Sequence, residues 1–341
     1  MTRSITITKP DDWHVHFRDK EALANTIKAS AQTFARALVM PNLAKPLIDV
    51  DKIKHYQAQV LTHAPPTFTP YFSLYLTDNL ALSELEKAKK NSAVLGAKLY
   101  PAGATTNSNA GINSITSLYP LFDLMQDLNL VLQIHGETTT GDIFDREARF
   151  IEQNLMPLVK TFPKLRIVLE HISSKAACDF VVESSQFVAA TITVHHLLYN
   201  RNDLLVGGIK PHFYCLPILK KASDQAALQA VALSGNPKFF LGTDSAPHAI
   251  NQKESACGCA GIYSAPYAMP LYTEFFDSHN KLSVLEPFAS YFGADFYQLP
   301  RNKSSLTLIQ QSQKVPASLS LGKQNVRPIA ADQTIQWTQK S

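Results

Sequence analysis

Residues 12–19 read Asp-Trp-His-Val-His-Phe-Arg-Asp, an alternation of polar and apolar side chains that is typical of a β-strand. Successive side chains of a strand point to opposite faces, so His14, His16 and Arg18 are expected on one face. The apolar side chains between them suit the outer wall of a strand that packs beneath helices. The two imidazoles lie near enough to bind one metal ion. Two half-buried histidines with ordinary hydrogen bonds explain this motif equally well when it is taken alone.

The composition is that of a globular enzyme. Of 341 residues, 45% are hydrophobic and 18% are charged, which is enough to build a substantial core. The formal charge of +4 is mild and the Lys and Arg residues are scattered, so nucleic-acid binding is not expected. No apolar run reaches the ~18 residues that a membrane span needs, and the N-terminus lacks a signal-peptide core. Reduced thiols and a cytoplasmic location are predicted, because a chain of this length gains no disulfide framework from four cysteines, Cys178, Cys215, Cys257 and Cys259.

Apolar runs of strand length alternate along the chain with segments of helical period. Strands are predicted at residues 12–17, 36–40, 67–76, 93–100, 130–134, 166–170, 189–194 and 239–242. Helices are predicted, among others, at residues 21–34, 48–62, 82–90, 112–128 and 223–233. Eight strands, most of them followed by a helix, within about 250 residues favour an α/β fold of the (β/α)8 TIM-barrel type over an open doubly wound sheet. No glycine-rich dinucleotide fingerprint follows the first strand, which weakens the open-sheet alternative.

One domain is expected over residues 1–341, with the barrel at about residues 10–300. Internal repeats and low-complexity segments are absent from the sequence. Residues 301–341 are polar with sparse apolar side chains, which indicates a small C-terminal extension that packs against the barrel.

Polar side chains stand at the ends of several predicted strands. In a barrel of this type the chemistry lies at the carboxyl ends of the strands. Lys98, His135, His171 and Asp244 come at or just after the ends of the fourth, fifth, sixth and eighth strands. Each of them alone is more often a satisfied polar residue than a ligand. Their occurrence together with the two histidines of the first strand favours a metal site.

The sequence closely resembles a known family in a series of motifs that occur in one order. They are residues 12–19, Met-Pro-Asn at 40–42, 97–107, 133–137, Leu-Glu-His at 169–171, Gly-Gly at 207–208, Lys-Pro-His at 210–212, Cys-Leu-Pro at 215–217, 242–248 and Cys-Gly-Cys-Ala-Gly at 257–261. This set resembles the dihydroorotases of the amidohydrolase superfamily, in particular the shorter bacterial and fungal homodimeric type. The resemblance runs from about residue 4 to residue 300. Lys20 and Lys45 depart from the family pattern in turns.

The resemblance implies a TIM barrel of the metal-dependent hydrolase type that uses zinc to interconvert L-dihydroorotate and N-carbamoyl-L-aspartate. The reaction belongs to de novo pyrimidine (UMP) biosynthesis, and the implied assembly is a homodimer. Two Zn²⁺ ions per subunit are implied, bridged by a hydroxide and by Lys98 modified to N6-carboxylysine. The implied ligands are His14, His16 and Asp244 for the buried ion and His135 and His171 for the more exposed one.

The chemistry of hydrolysis explains why these residue types are needed. Zinc polarises a carbonyl and lowers the pKa of bound water. A lysine in a crowded barrel mouth has a lowered pKa, so the neutral amine of Lys98 can add CO₂ and become an anionic bridging ligand. Asp244 can accept the proton of the attacking hydroxide and return it to the departing ring nitrogen, acting as general base and then as general acid.

Substrate binding needs cations because the substrate carries a carboxylate. Arg18 offers a bidentate fork that a lysine cannot copy. The resemblance adds Asn42 and His248 to this carboxylate clamp. It also implies three further contacts with substrate: the backbone of Leu216 and Ala260 against the ring amides, and Thr105 and Thr106 from a mobile loop at residues 101–113.

Two other functions remain open at this point. A hydantoinase would hydrolyse another cyclic amide with the same metals, although the clamp at Arg18 argues against it. A catalytically silent barrel that serves as an assembly partner is the alternative from a different class, but such chains usually lose ligands and here every ligand position is filled.

Overall fold

Parallel strands in chain order form the centre of the molecule, which a computed structural model describes over residues 3–256 and 258–340. The first nine strands are β1 Ser4–Thr8, β2 Asp11–Val15, β3 Arg36–Val39, β4 Thr69–Tyr75, β5 Val94–Leu99, β6 Val131–Ile134, β7 Ile167–Leu169, β8 Val188–Ile192 and β9 Phe239–Leu241. In the described part of the chain, β2 to β9 make one eight-stranded sheet in that order. All eight predicted strands are therefore present.

The sheet closes into a barrel between its first and last strands. After β9 the chain continues alongside β2, where Val15 forms a parallel bridge with Ser245. The Asp244 N–H donates to the His14 carbonyl at 2.8 Å, and the His16 N–H donates to the Ser245 carbonyl at 3.1 Å. The predicted TIM barrel is confirmed. The closing seam is also where three of the predicted metal ligands lie.

Helices follow most barrel strands and cover the outside of the sheet. They are α1 Leu23–Thr33, α2 Val50–Leu61, α3 Leu82–Lys90, α4 Tyr119–Asp127, α5 Arg146–Phe150, α6 Met156–Thr161, α7 Lys175–Glu183, α8 Val194–Leu198, α9 Arg201–Leu205, α10 Ala222–Leu233, α11 Ile250–Lys253, α12 Ala268–Ser278, α13 Leu282–Glu286 and α14 Phe292–Phe296. Single turns of other helix types are Lys20–Ala22, Thr116–Leu118, Pro211–Phe213 and Ala265–Tyr267 (3₁₀), and Ile151–Leu155 and Pro287–Tyr291 (π).

The helix predicted from residue 112 begins later than expected. A 3₁₀ turn at Thr116–Leu118 leads into α4, whose first turn contains Pro120. Proline lacks an N–H and has its φ preset, so it favours the first turn of a helix. Residues 101–115 are therefore left as a loop after β5. None of the described helices is long and apolar enough to cross a membrane.

Three buried clusters form the interior of the described residues, and two of them belong to the barrel. The larger cluster fills the space between the outer face of the barrel and the helices and includes Val15 and Phe17. The smaller contains Val168, Phe240 and Tyr297 and plugs the inside of the barrel against α14. Trp13 is expected on the outer wall with Val15, but that expectation is wrong. The register of β2 shifts between Asp12 and Val15, so the Trp13 ring stacks on Tyr297 at 4.6 Å between centroids.

The chain ends pack against each other beside the barrel. The C-terminal strands are β10 Ser305–Ile309, β11 Gln313–Lys314, β12 Leu319–Leu321, β13 Gln324–Val326, β14 Thr334–Ile335 and β15 Thr338–Gln339. Strand β10 pairs antiparallel with β1 on one side and with β15 on the other. Trp337 is buried there at 1% exposure. The predicted appendage is thus a set of small sheets, and its place in a single domain over residues 1–341 stays a prediction.

Candidate active site

Six polar side chains meet at the carboxyl end of the barrel. They are His14 from β2, His16 just after it, Lys98 from β5, and His135, His171 and Asp244 after β6, β7 and β9. Asp244 Oδ1 lies 3.4 Å from His14 Nε2 and 3.0 Å from His16 Nε2. On the opposite side, His135 Nδ1 lies 3.3 Å from His171 Nε2. All six side chains are buried, so the structure brings together every predicted metal-site residue.

Three site residues have a left-handed backbone conformation that is rare outside glycine. The φ angles are 66° at Arg18 and 43° at both His171 and Asp244. Strain of this kind persists only where the surrounding structure imposes it, and it concentrates at functional sites. The sequence predicts that Arg18 lies on the same strand face as His14 and His16. This explanation of how Arg18 reaches the site is wrong. Strand β2 ends at Val15, and a turn brings the guanidinium toward the site.

Two buried carboxylates orient the histidines. Glu170 Oε2 lies 2.9 Å from His14 Nδ1, and Glu137 Oε2 lies 2.9 Å from His135 Nε2. A ring nitrogen engaged in this way fixes the tautomer and leaves the other nitrogen as a lone-pair donor. The free donors are then Nε2 of His14 and Nδ1 of His135. The sequence patterns predict no role for these glutamates, although each stands within two residues of a strand-end histidine.

Asp12 forms hydrogen bonds that join β2 to the segment after β9, where the barrel closes. Its carboxylate accepts hydrogen bonds from the Thr243 N–H at 2.8 Å, the Thr243 hydroxyl at 2.6 Å and the His14 N–H at 3.2 Å. These bonds fix the residue before Asp244 against the strand that carries His14. Burial nevertheless raises the pKa of Asp12 to about 7.

Lys98 is a fully buried lysine whose amine lacks a hydrogen-bond partner in the described part of the chain. Burial lowers the pKa of Lys98 to about 8, against the opposing charges of Glu170 and Asp244. An unpartnered buried ammonium is costly, so this site is built for something more than a free lysine.

The protonation states of the other groups fit metal binding. Burial lowers the pKa of His16, and it lowers the pKa values of His14 and His171 well below the usual range. Neutral imidazoles are the form that ligates metal. Burial alone would raise the pKa of Asp244, but the hydrogen bond from His16 and the charges of His14 and Lys98 lower it overall. The donor set of imidazoles and a carboxylate around an unpartnered amine therefore fits divalent cations such as zinc.

The predicted substrate-binding residues surround a small cavity above this centre. The lining is His14, His16, Arg18, Asn42, Tyr100, Thr105, Thr106, His135, His171, Leu216, Asp244, Ala246, Ala260 and Gly261. His248 lies outside the lining, with its Nε2 atom 3.0 Å from a terminal nitrogen of Arg18. The Arg18 Nε–H donates to the Pro247 carbonyl at 2.9 Å. His248 thus contacts Arg18 and supports the predicted clamp from behind.

The loop after β5 lies against the opposite wall of the cavity. The Asn42 side-chain amide donates to the Thr106 carbonyl at 3.0 Å, and the Asn107 amide donates to the Asn42 carbonyl at the same distance. These two bonds bring Thr105 and Thr106 over the cavity. The Asn42 side-chain oxygen has no partner within the described ranges, so it remains available to a ligand.

A second group of possible ligands lies behind the cavity wall, where His195, His196 and Cys215 approach one another within 4.8 Å. Burial raises the pKa of Cys215 to about 12, so its thiol stays protonated at neutral pH and is a poor metal ligand. Cys178, Cys215 and Cys259 are free thiols, as predicted. Cys257 lies outside the described residues.

Known proteins share both the sequence and the fold. The sequence matches the amidohydrolase family over residues 73–324. It is 52% identical over 339 residues to a dihydroorotase of Shewanella loihica, with 99% of each chain covered. The fold is similar to that of dihydroorotase from Campylobacter jejuni, with a TM-score of 0.92, 35% identity and coverage of 100% of this chain and 98% of that one. The fold is also similar to that of a Saccharomyces cerevisiae dihydroorotase in complex with 5-fluoroorotic acid. The TM-score is 0.90 and the sequence identity 33%, with 99% of this chain and 98% of that chain covered.

A closed parallel barrel with histidines, an aspartate and a buried lysine at its carboxyl end defines a class of hydrolases. The chain belongs to the amidohydrolase family and, within it, to the dihydroorotases. It is therefore an enzyme that acts on the C–N bond of a cyclic amide.

Proposed function

We propose that this enzyme uses two zinc ions to interconvert L-dihydroorotate and N-carbamoyl-L-aspartate, a step of de novo pyrimidine biosynthesis. The observation that carries the proposal is the unpartnered amine of Lys98 among four buried imidazoles and Asp244. Lys98 Nζ has no hydrogen-bond partner within the described residues, and bound cations would give a carbamate formed on this amine its partners.

The proposed ligands divide into two sets. His14, His16 and Asp244 would hold one ion, and their close approach around Asp244 Oδ1 supports this set. His135 and His171 would hold the other, through the two nitrogens that face each other at 3.3 Å. When bound, two divalent cations polarise the amide carbonyl and lower the pKa of the attacking water.

Lys98 is proposed to join both sets as a carbamate. Its lowered pKa makes the neutral amine accessible near pH 7, and a neutral amine adds CO₂ with release of one proton. The product would be an N6-carboxylysine, whose two oxygens share one negative charge and would suit two cations. Burial without a partner supports this role, because the unmodified ammonium gains nothing there.

Asp244 is proposed to move the proton of the reaction. Its lowered pKa keeps it ionised at neutral pH, so it can accept the proton of the attacking water. The cavity-facing carboxylate then returns this proton to the ring nitrogen as the C–N bond breaks. In the reverse direction the same carboxylate takes the proton from the ureido nitrogen.

Arg18, Asn42 and His248 are proposed to bind the substrate carboxylate. Arg18 and Asn42 line the cavity, and the Asn42 amide has a second N–H, beside the one that donates to Thr106, which can donate to the carboxylate. The contact between His248 and Arg18 aligns the guanidinium fork. A hydantoin ring carries no carboxylate, so this clamp favours dihydroorotate over hydantoin.

Thr105 and Thr106 are proposed to donate hydroxyl hydrogen bonds to bound substrate from the loop at residues 101–113. Their place over the cavity supports the role. Limited proteolysis of this loop with and without orotate tests it. Equal cleavage rates, together with wild-type kinetics when both threonines are replaced by alanine, would contradict it.

Metal analysis of purified protein combined with turnover tests the function as a whole. We expect about two zinc ions per chain and hydrolysis of dihydroorotate, with hydantoin turned over far more slowly. Removal of zinc by a chelator should abolish turnover, and zinc with bicarbonate should restore it. Preference for hydantoin, or undiminished turnover after metal removal, would contradict the proposal.

A homodimer and a cytoplasmic location stay predictions. The homodimer follows from the family resemblance, and light scattering of the purified protein measures it. The reduced cysteines expected in the cytoplasm are consistent with the free thiols of Cys178, Cys215 and Cys259.

A further inference from the structure

Lys253 is one of three buried lysines in the described part of the chain, with Lys98 and Lys220, and lies on the far side of the cavity wall from the metal centre. Its side chain is 3% exposed. The ammonium donates three hydrogen bonds to backbone carbonyls, to Tyr214 at 2.7 Å, to Cys259 at 2.8 Å and to Gly261 at 2.9 Å. Apart from burial, the groups within the described ranges that shift its pKa are the thiols of Cys215 and Cys259, and no carboxylate is among them.

The lysine matches these acceptors in number as well as in direction. Burial lowers the pKa of Lys253 to about 8, so at pH 7 the group is an ammonium with three N–H donors, one for each carbonyl. A buried charge without a counter-ion is expensive unless hydrogen bonds satisfy it fully. An apolar side chain would serve the core better. The buried charge therefore indicates that Lys253 has a function in the wall of the cavity.

The three carbonyls belong to two segments of the wall. Tyr214 lies two residues before Leu216, and Cys259 and Gly261 stand on either side of Ala260. Leu216 and Ala260 both line the cavity. The Tyr214 carbonyl also accepts the Gly261 N–H at 3.0 Å, so the ammonium sits at a cross-link between the segments.

The planarity of the peptide between Cys259 and Ala260 fixes the direction of one N–H donor beside this cross-link. A trans peptide is planar, with its C=O and N–H pointing in opposite directions. Because the Cys259 carbonyl points at Lys253, the N–H of the same peptide, which belongs to Ala260, points away from it. That N–H has no acceptor elsewhere in the described residues.

The segment has little freedom to find this orientation by other means. Gly261 has a φ of +147°, and a Cβ there would lie 2.4 Å from the Ala246 carbonyl oxygen. The chain is therefore pressed against the wall directly after Ala260, and small rotations of the preceding peptide depend on what holds its carbonyl.

We propose that Lys253 is a positioning residue that holds the Ala260 N–H toward the cavity, where it donates to a carbonyl oxygen of the substrate's cyclic ureide ring. This inference rests on the proposed function and deepens it. The metal centre and the Arg18 clamp act on the reacting amide and the carboxylate, whereas Lys253 governs recognition of the ring.

The test compares two lysines that make the same kind of bonds. Lys238 also donates to three backbone carbonyls, those of Val181 and Val182 at 3.1 and 3.2 Å and that of Ser184, but it lies in the turn before β9, at the end of the barrel away from the site, and its acceptors are at the end of α7. Lys253→Met should raise the KM for dihydroorotate about tenfold, the loss of one well-oriented hydrogen bond, with a smaller change in kcat and unchanged zinc. Lys238→Met should keep the wild-type KM.

Two inhibitors separate ring recognition from general damage. Orotate presents the ring and a carboxylate, whereas succinate presents carboxylates without a ring. In Lys253→Met we expect orotate inhibition to weaken about tenfold and succinate inhibition to stay the same. Equal weakening of both inhibitors, loss of zinc along with them, or a wild-type KM would overturn the proposal.

A milder variant keeps the proposal testable if Lys253→Met does not fold. Lys253→Gln retains an N–H donor group on a shorter arm, and its KM should lie between those of wild type and the methionine variant. A glutamine variant with wild-type kinetics and wild-type orotate inhibition would overturn the proposal. Failure of the proposed function would appear differently, as an absence of dihydroorotate turnover in the wild-type enzyme itself.

Discussion

The two ends of the barrel both bury charged side chains, but they satisfy them in different ways. At the amino end Asp11 accepts from the Arg36 Nε–H at 2.8 Å and from a second Arg36 donor, and the Asn302 amide donates to it at 2.8 Å. A third Arg36 donor reaches the Pro300 carbonyl at 2.8 Å. At the carboxyl end Lys98 Nζ, His171 Nδ1 and Glu170 Oε1 have no partner in the described residues.

The difference separates stability from function within one sheet. A buried polar group that has all its hydrogen bonds stabilises the fold, and one that lacks them destabilises it until a ligand arrives. The amino end uses its charges to join the strand start to the chain after α14. The carboxyl end has buried polar atoms without hydrogen-bond partners among the described residues. Three residues with a left-handed backbone add local strain there.

The largest effect is expected from Lys98→Met, which removes the amine and keeps the bulk of the side chain. Nearly all turnover should be lost and zinc content should fall, because the proposed bridging carbamate cannot form. The metal-free variant should unfold at the same temperature as metal-free wild type or higher, since an unpartnered buried amine has been removed. Zinc analysis, turnover and thermal unfolding measure the three outcomes. Full activity with two bound zinc ions would rule out the bridging role.

Asp244→Asn is expected to come next. The amide can still offer an oxygen to zinc but cannot accept a proton at neutral pH. We expect kcat to fall about 10²–10⁴-fold with most of the zinc retained. Because the pKa of Asp244 is lowered, the wild-type carboxylate stays ionised until the pH falls through that lowered pKa, and this acidic limb of the kcat profile should disappear in the variant. An unchanged profile with near-normal turnover would exclude Asp244 as the proton carrier.

Arg36→Met tests the opposite end and is the matched partner of Lys98→Met. It leaves Asp11 buried without its charge partner, so the free energy of unfolding should drop by about 3–5 kcal/mol. The folded fraction should keep wild-type zinc content and kcat/KM. Denaturant unfolding with kinetics on the folded protein measures both. Lost activity without lost stability would erase the contrast between the two ends.

The smallest effect is expected from Arg18→Lys at the edge of the carboxyl end. The charge remains but the bidentate fork is lost, which should lower kcat/KM by about 1.5–3 kcal/mol in transition-state stabilisation. Zinc content should not change. A collapse of zinc binding would show that Arg18 supports the metal centre and does not bind substrate.

Much of the fold was predictable because strand and helix periods are local properties of the chain. All eight barrel strands appear where the apolar runs predict them, and α3 begins and ends at the predicted residues. The meeting of the proposed metal-site residues at one end of the barrel was also predictable, since polar side chains at the ends of buried strands are unusual. The late start of α4 was not predictable from the sequence. Pro120 favours the first turn of a helix, whereas the helical pattern of the sequence begins before it. The loop that follows β5 over the cavity decides which of these two signals prevails.

The sequence by itself determined the barrel, the set of site residues and the family. The tertiary structure alone decided which nitrogen of each histidine faces the centre, through Glu170 and Glu137, and how Arg18 reaches the cavity through a left-handed turn. It also decided the contacts of Lys253, whose three acceptors come from segments up to 39 residues away. The physical reason is that period and propensity act between neighbours in sequence. Hydrogen-bond partners and desolvation depend on residues that meet only when the barrel closes.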